Sequence, residues 1–149
     1  MEDLERSLRA HPFMADLEPD HVRFLVGCAA SVRFRPGEYL VREGEREDKF
    51  FLLRQGTVTI EMPRSGGDAA VVETVGPGDV IGVSRVAPAT AHLDVRARDT
   101  VLAFALDNGC ILQKMQAEPS FGYAITRRLL ERTYDRLARA RLQNLDVYR

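Results

Sequence analysis

A series of turn-forming clusters at short, nearly regular steps limits this chain's fold more than any other feature: Pro36-Gly37, Glu43-Gly44, Gln55-Gly56, Ser65-Gly66-Gly67-Asp68 and Gly76-Pro77-Gly78-Asp79. Glycine supplies the positive φ that tight reversals need, and proline presets φ for the first corner. Steps of roughly 8–12 residues leave room only for short strands, which predicts a compact all-β sandwich or barrel over about 31–106. Between the turns, Thr57-Val58-Thr59-Ile60-Glu61-Met62 alternates polar with apolar, so Val58, Ile60 and Met62 are expected to face inward. Leu93-Asp94-Val95-Arg96-Ala97 alternates likewise, and Leu102, Phe104 and Leu106 repeat the pattern. Phe50-Phe51-Leu52-Leu53 is continuously apolar, as in a strand buried on both faces.

Helical spacing takes over on either side. Up to about residue 30, Val22, Leu25, Val26 and Ala29 form a one-sided apolar stripe behind Glu18-Pro19-Asp20. Beyond the strands, Asp107-Asn108 can cap a short helix to about Met115, and Glu118-Pro119-Ser120 opens a run of some 25 residues free of further proline. Ile125, Leu129, Leu130, Thr133, Tyr134, Leu137 and Ala140 share half of that helix. A stripe so wide suits packing on the β-core on one side and on a second subunit on the other. Arg128, Arg132, Arg136 and Arg139 border the stripe; read simply, they are a solvated face balanced by Glu131 and Asp135. Glu45-Arg46-Glu47-Asp48-Lys49 reads as an exposed mixed-charge turn.

Composition narrows the class. With 149 residues the chain suits one domain: helices over about 2–30, strands over about 31–106 and helices over about 107–145. The net charge of −1 divides into +4 over residues 119–149, where seven Arg face three acids, and −5 over the rest. No apolar run approaches the ~18–20 residues of a membrane span, and the start lacks a secretory pattern. The two cysteines, Cys28 and Cys110, form no CxxC pair. They are too few for a disulfide framework or a four-Cys metal site and read as small buried hydrophobes of a reducing cytoplasm.

The run Phe34-Arg35-Pro36-Gly37-Glu38-Tyr39-Leu40-Val41-Arg42-Glu43-Gly44, then Phe50 to Val58, then Val75-Gly76-Pro77-Gly78-Asp79-Val80-Ile81-Gly82, resembles a cyclic-nucleotide-binding domain. Such domains are the effector modules of catabolite-activator-type regulators, cyclic-nucleotide-dependent kinases and gated channels. The resemblance covers about residues 12–145. It implies a mainly β fold with flanking α: a β-roll, or jellyroll, with N-terminal helices and a long C-terminal helix.

The resemblance also implies a site. In that family a short phosphate-binding helix follows the glycine at the position of Gly82, a Glu directly after it holds the ribose hydroxyl, and an Arg further on pairs with the phosphate. Here Val83 follows Gly82, Ala91 stands at the arginine position, and His92 comes next. Losing a charge-assisted pair to phosphate costs roughly 2–5 kcal/mol unless something replaces it. Arg85 and His92 could serve from the roll, and Arg132 or Arg136 from the long helix. The family's base-contacting position falls near Arg136, with Thr133 and Tyr134 close by. The candidate site is therefore Gly82, Val83, Ser84, Arg85, Ala91 and His92 with Thr133 and Arg136, for a small anionic effector (cAMP, cGMP or another anion).

The implied role is a sensor without cofactor or catalysis, homodimeric through its C-terminal helix and acting on an unidentified protein partner. The alternative is a degenerate domain that binds no nucleotide and serves as a dimerisation or interaction module. Only Leu142 to Arg149 follow the core of the long helix, too few for a helix-turn-helix, so direct DNA binding is not expected. Enzyme signatures are missing. The histidines are His11, His21 and His92 with no His-x-His pair, and there is no Gly-x-Ser-x-Gly elbow or P-loop.

Overall fold

A computed structural model describes residues 2–46, 48–82 and 93–147. Helix α1 (Glu2–Arg9), a 3₁₀ turn (Pro12–Met14) and α2 (Pro19–Gly27) precede the strands β1 (Ala29–Phe34), β2 (Tyr39–Val41), β3 (Lys49–Gln55), β4 (Val58–Met62), β5 (Ala70–Val75), β6 (Val80–Ile81), β7 (Asp94–Ala97) and β8 (Val101–Asp107). Helices α3 (Asn108–Ala117) and α4 (Pro119–Val147) complete the chain. The strands form two four-stranded antiparallel sheets in the orders β1-β8-β3-β6 and β2-β7-β4-β5, a β-roll of jellyroll type flanked by helices at both ends.

The continuous run in β3 shows how the layers are built. Phe50 and Leu52 point to the helices, where they join Leu8, Phe13, Val22, Leu25, Phe104, Leu106, Ile111, Phe121, Ile125 and Leu129 in one core. Phe51 and Leu53 point into the roll, into a second core with Val58, Ile60, Val75, Ile81, Val95 and Val101. One strand thus belongs to both layers, as its lack of alternation implies.

Three expectations need correction. Met62 is half exposed, because the β4–β5 register shifts between Ile60 and Glu61 and the alternation ends there. Thr59 and Glu61, read as outward-facing, are buried, and the Thr59 hydroxyl donates to Glu61 Oε2 at 2.7 Å. The cysteines are half-buried rather than core residues, and they are paired: Cys28, capping α2, is disulfide-bonded to Cys110 in the first turn of α3, with Cα atoms 6.3 Å apart. At a sequence separation of 82, no spacing rule could have matched them.

Candidate functional site

The lip of the roll is the turn from β5 into β6. Gly78 N–H donates to Leu53 O and Leu53 N–H to Asp79 O, both at 2.9 Å, which ties the turn to β3. Gly82 then leaves β6 at φ +87, and an added Cβ there would lie 3.3 Å from Phe50 Cα and 3.4 Å from Lys49 O. The backbone angle favours glycine, and the approach to β3 leaves little room for a Cβ.

Helix α4 lies against this lip through its arginines. Arg136 makes a bidentate pair with Glu73 of β5, at 3.1 and 3.2 Å, and donates a third bond to Val80 O at 2.6 Å. Their side chains are only 17% and 13% exposed. Arg139 pairs with Asp79 through both guanidinium Nη atoms, one bond being 3.1 Å, and the Asp79 carboxylate also accepts from Gly76 N–H. Asp79 raises the Arg139 pKa, first through that hydrogen bond. One and two turns earlier, Arg132 and Arg128 each donate to Pro12 O at 3.1 Å, and Arg128 also reaches Ala15 O.

The arginine band is therefore not the solvated face its spacing suggested. Arg128 does approach Glu131, at 3.6 Å, but the band as a whole fastens α4 to the 3₁₀ turn and to the lip. Ile125 and Leu129 are buried beneath it, whereas Leu130, Tyr134 and Leu137 remain exposed.

Of the eight candidate residues, Gly82 directly follows β6 and Arg136 donates to that strand at Val80 O, two residues before it. Thr133 is exposed on α4. Val83, Ser84, Arg85, Ala91 and His92 lie outside the described residues. Glu73, Asp79 and Arg139 were missed. The readable signal was the 4-4-3 spacing of the four arginines, which sets them on one stripe that Glu131 and Asp135 cannot fully face.

His11 is built into the same region. Its Nε2–H donates to Leu53 O at 2.8 Å and its Nδ1 accepts from Phe13 N–H at 3.1 Å, so both ring nitrogens are used by the neutral form. Burial first, and Arg132 as well, lowers its pKa below the ordinary 6.5, against opposing contributions from the Leu53 bond and Asp79. Just below neutrality the unfolded chain holds more protons than the folded one, so stability rises with pH. It is complete above about pH 6.5 and is lost as pH falls through the lowered folded-state value. Urea midpoints measured from about pH 7 to about pH 5 should fall, and His11→Gln should flatten that slope. An unchanged slope in the variant would assign the effect elsewhere.

Among the described residues no three His, Cys, Asp or Glu side chains gather as a metal site, and no helix is long and apolar enough to cross a membrane. The family model of the cyclic nucleotide-binding domain matches residues 31–118, more than half the chain. The chain belongs to that family. It is 26% identical over 112 residues to cGMP-dependent protein kinase 2 of Mus musculus, a match that covers 74% of this chain and 14% of the kinase. The fold is shared with a cyclic nucleotide-binding domain from Methylobacillus flagellatus KT (TM-score 0.78, 19% identity, 97% of this chain and 82% of that one). It is shared too with the sensor domain of the transcriptional regulator DNR from Pseudomonas aeruginosa (TM-score 0.71, 21% identity, 93% and 95%).

Proposed function

We propose that this cyclic-nucleotide-binding-type domain is a non-catalytic sensor in which a small anionic effector enters the roll beside Gly82 and frees or re-seats α4. The contact that carries this reading is Arg136, a guanidinium of the terminal helix held at the lip by one acid and one carbonyl. An anion arriving from the roll competes with Glu73 for that guanidinium. It moves α4 only to the extent that it binds the two helix positions with different affinity. Similarity to a cGMP-dependent protein kinase and to the sensor domain of a transcriptional regulator supports a signalling role.

The far side of α4 suits the receiving partner. Tyr123, Leu130, Tyr134, Leu137 and Leu145 are exposed and fall within about 80° of arc at 3.6 residues per turn, a seam for a second copy of the chain.

Titration calorimetry with cAMP and cGMP, run on the intact chain and on Arg136→Ala and Arg85→Ala, tests the reading. Heat from one nucleotide, with affinity at least about tenfold weaker in Arg136→Ala, is the expected result. Val83 and Ala91, standing where relatives carry Glu and Arg, favour a second reading: a dimerisation or interaction module that binds no nucleotide. No heat from either nucleotide, with sedimentation still returning a dimer, would decide for that alternative.

A further inference from the structure

We propose that Cys28 and Cys110 are a reversible redox modification site, exchanging with low-molecular-weight disulfides such as glutathione disulfide, whose state sets how firmly α3 and α4 are held to the roll. The bond joins the two ends of the β-roll. Cys28 immediately precedes β1, Cys110 follows β8, and all eight strands lie between them. Both residues are half-buried, so a small thiol or disulfide can approach.

Without the bond, the first turn of α3 keeps Ile111 in the helix-side core and three hydrogen bonds. Asp107 caps it by accepting from Cys110 N–H at 2.9 Å, Asn108 N–H donates to Asp48 O at 2.8 Å, and Asp107 N–H donates to Cys28 O at 3.1 Å. Working against these, the Asn108 side-chain amide is buried and has no hydrogen-bond partner among the described residues. Opening the turn would hydrate that amide, so the closed turn carries an opposing polar cost that the disulfide helps to hold. Further along, α3 meets α4 without slack: a Cβ on Gly122 would lie 2.8 Å from Met115 O. Lys114 sits 4.9 Å above the Phe24 ring, and Phe24 packs edge-on against Phe121 of α4. A change in the first turn of α3 therefore reaches α4 through packed groups.

The chemistry balances with one named co-reactant. Cys110, in the first turn of a ten-residue helix, is the thiol whose thiolate the helix N-terminus favours. Its thiolate attacks a sulfur of glutathione disulfide, forming a mixed disulfide and releasing one glutathione thiolate. The Cys28 thiol gives its proton to the released glutathione thiolate. As a thiolate it then attacks Cys110 Sγ, closing the protein disulfide and expelling the second glutathione as a thiolate that water protonates. The protein dithiol is oxidised by two electrons, and one glutathione disulfide is reduced to two thiols.

The test uses the intact chain under native conditions, treated with glutathione disulfide or with reduced glutathione, followed by thiol alkylation with mass readout and by hydrogen exchange. Reduced glutathione should open the bond without denaturant. Amides of 108–125 should then exchange at least about tenfold faster, with those of β3 and β8 within about twofold of the oxidised protein. In Cys28→Ser, a glutathione adduct should be trapped on Cys110. A bond that yields only after denaturation, a reduced protein that unfolds as a whole, or unchanged exchange over 108–125 would each overturn the proposal. Because wild-type protein under reductant carries these readings, failure of Cys28→Ser to fold leaves the test intact.

Discussion

Gly56→Ala is expected to cost about 4 kcal/mol and to lower the melting temperature by roughly 10 °C, the largest effect expected of a glycine-to-alanine change in this chain. Gly56 lies between β3 and β4 at φ +90, where an L side chain is strained by about 1–2 kcal/mol. A Cβ there would also sit 2.3 Å from Thr100 O, in the β7–β8 connection, and 2.9 Å from Val101 Cα, at the start of β8, both backbone atoms. Nothing flexible can give way. The same connection is held by Thr57 N–H, which donates to Asp99 Oδ1 at 2.8 Å, and by Arg98 N–H, which donates to Thr57 O at 2.9 Å. Gly66→Ala is the control. Its φ is +78 but nothing lies within 4 Å of its Cβ, so only the backbone strain of about 1 kcal/mol remains. Equal melting temperatures for the two variants would refute the steric account.

The roll was legible because its signals are local. Turn residues at short steps, the two-sided run Phe50 to Leu53 and the Asp107 cap each fix nearby backbone, and each is found as expected. What stayed hidden depends on pairs distant in sequence. Cys28 and Cys110 are brought together by sheet order, since β1 and β8 are neighbours although they bracket the whole strand region. Met62 was misplaced by a register shift that alternation alone does not announce. The arginine band was misjudged for a related reason. Helical spacing shows that Arg128, Arg132, Arg136 and Arg139 share a stripe, but not that Pro12 O, Glu73 and Asp79 lie opposite it. The family pattern points to Gly82 and Arg136 as candidates, but no local pattern shows that Glu73 holds the arginine.

The two ion pairs at the lip should prove very unequal, and that inequality locates the latch. Arg139 is 49% exposed, so Arg139→Ala should cost under about 1 kcal/mol, as for surface pairs generally. Arg136 and Glu73 are mostly withdrawn from water, and the pair is bidentate with a further bond to Val80 O. Arg136→Ala leaves the Glu73 carboxylate and a strand carbonyl without their donor, and should cost about 3 kcal/mol. Glu73→Ala leaves the guanidinium with one carbonyl and should cost a similar amount. Replacing both with leucine removes both charges together, so the double variant should lose less than either single one, because desolvating a buried pair consumes much of its attraction. The Ala-scale cycle from denaturant unfolding should return a coupling of about 2 kcal/mol. Hydrogen exchange in the Arg136→Ala protein should quicken in the second half of α4 while its first half, anchored by Phe121, Ile125 and Leu129, stays protected. Additive losses with uniform exchange along α4 would mean that apolar packing alone seats the helix. An anion competing for Arg136 would then have nothing to release.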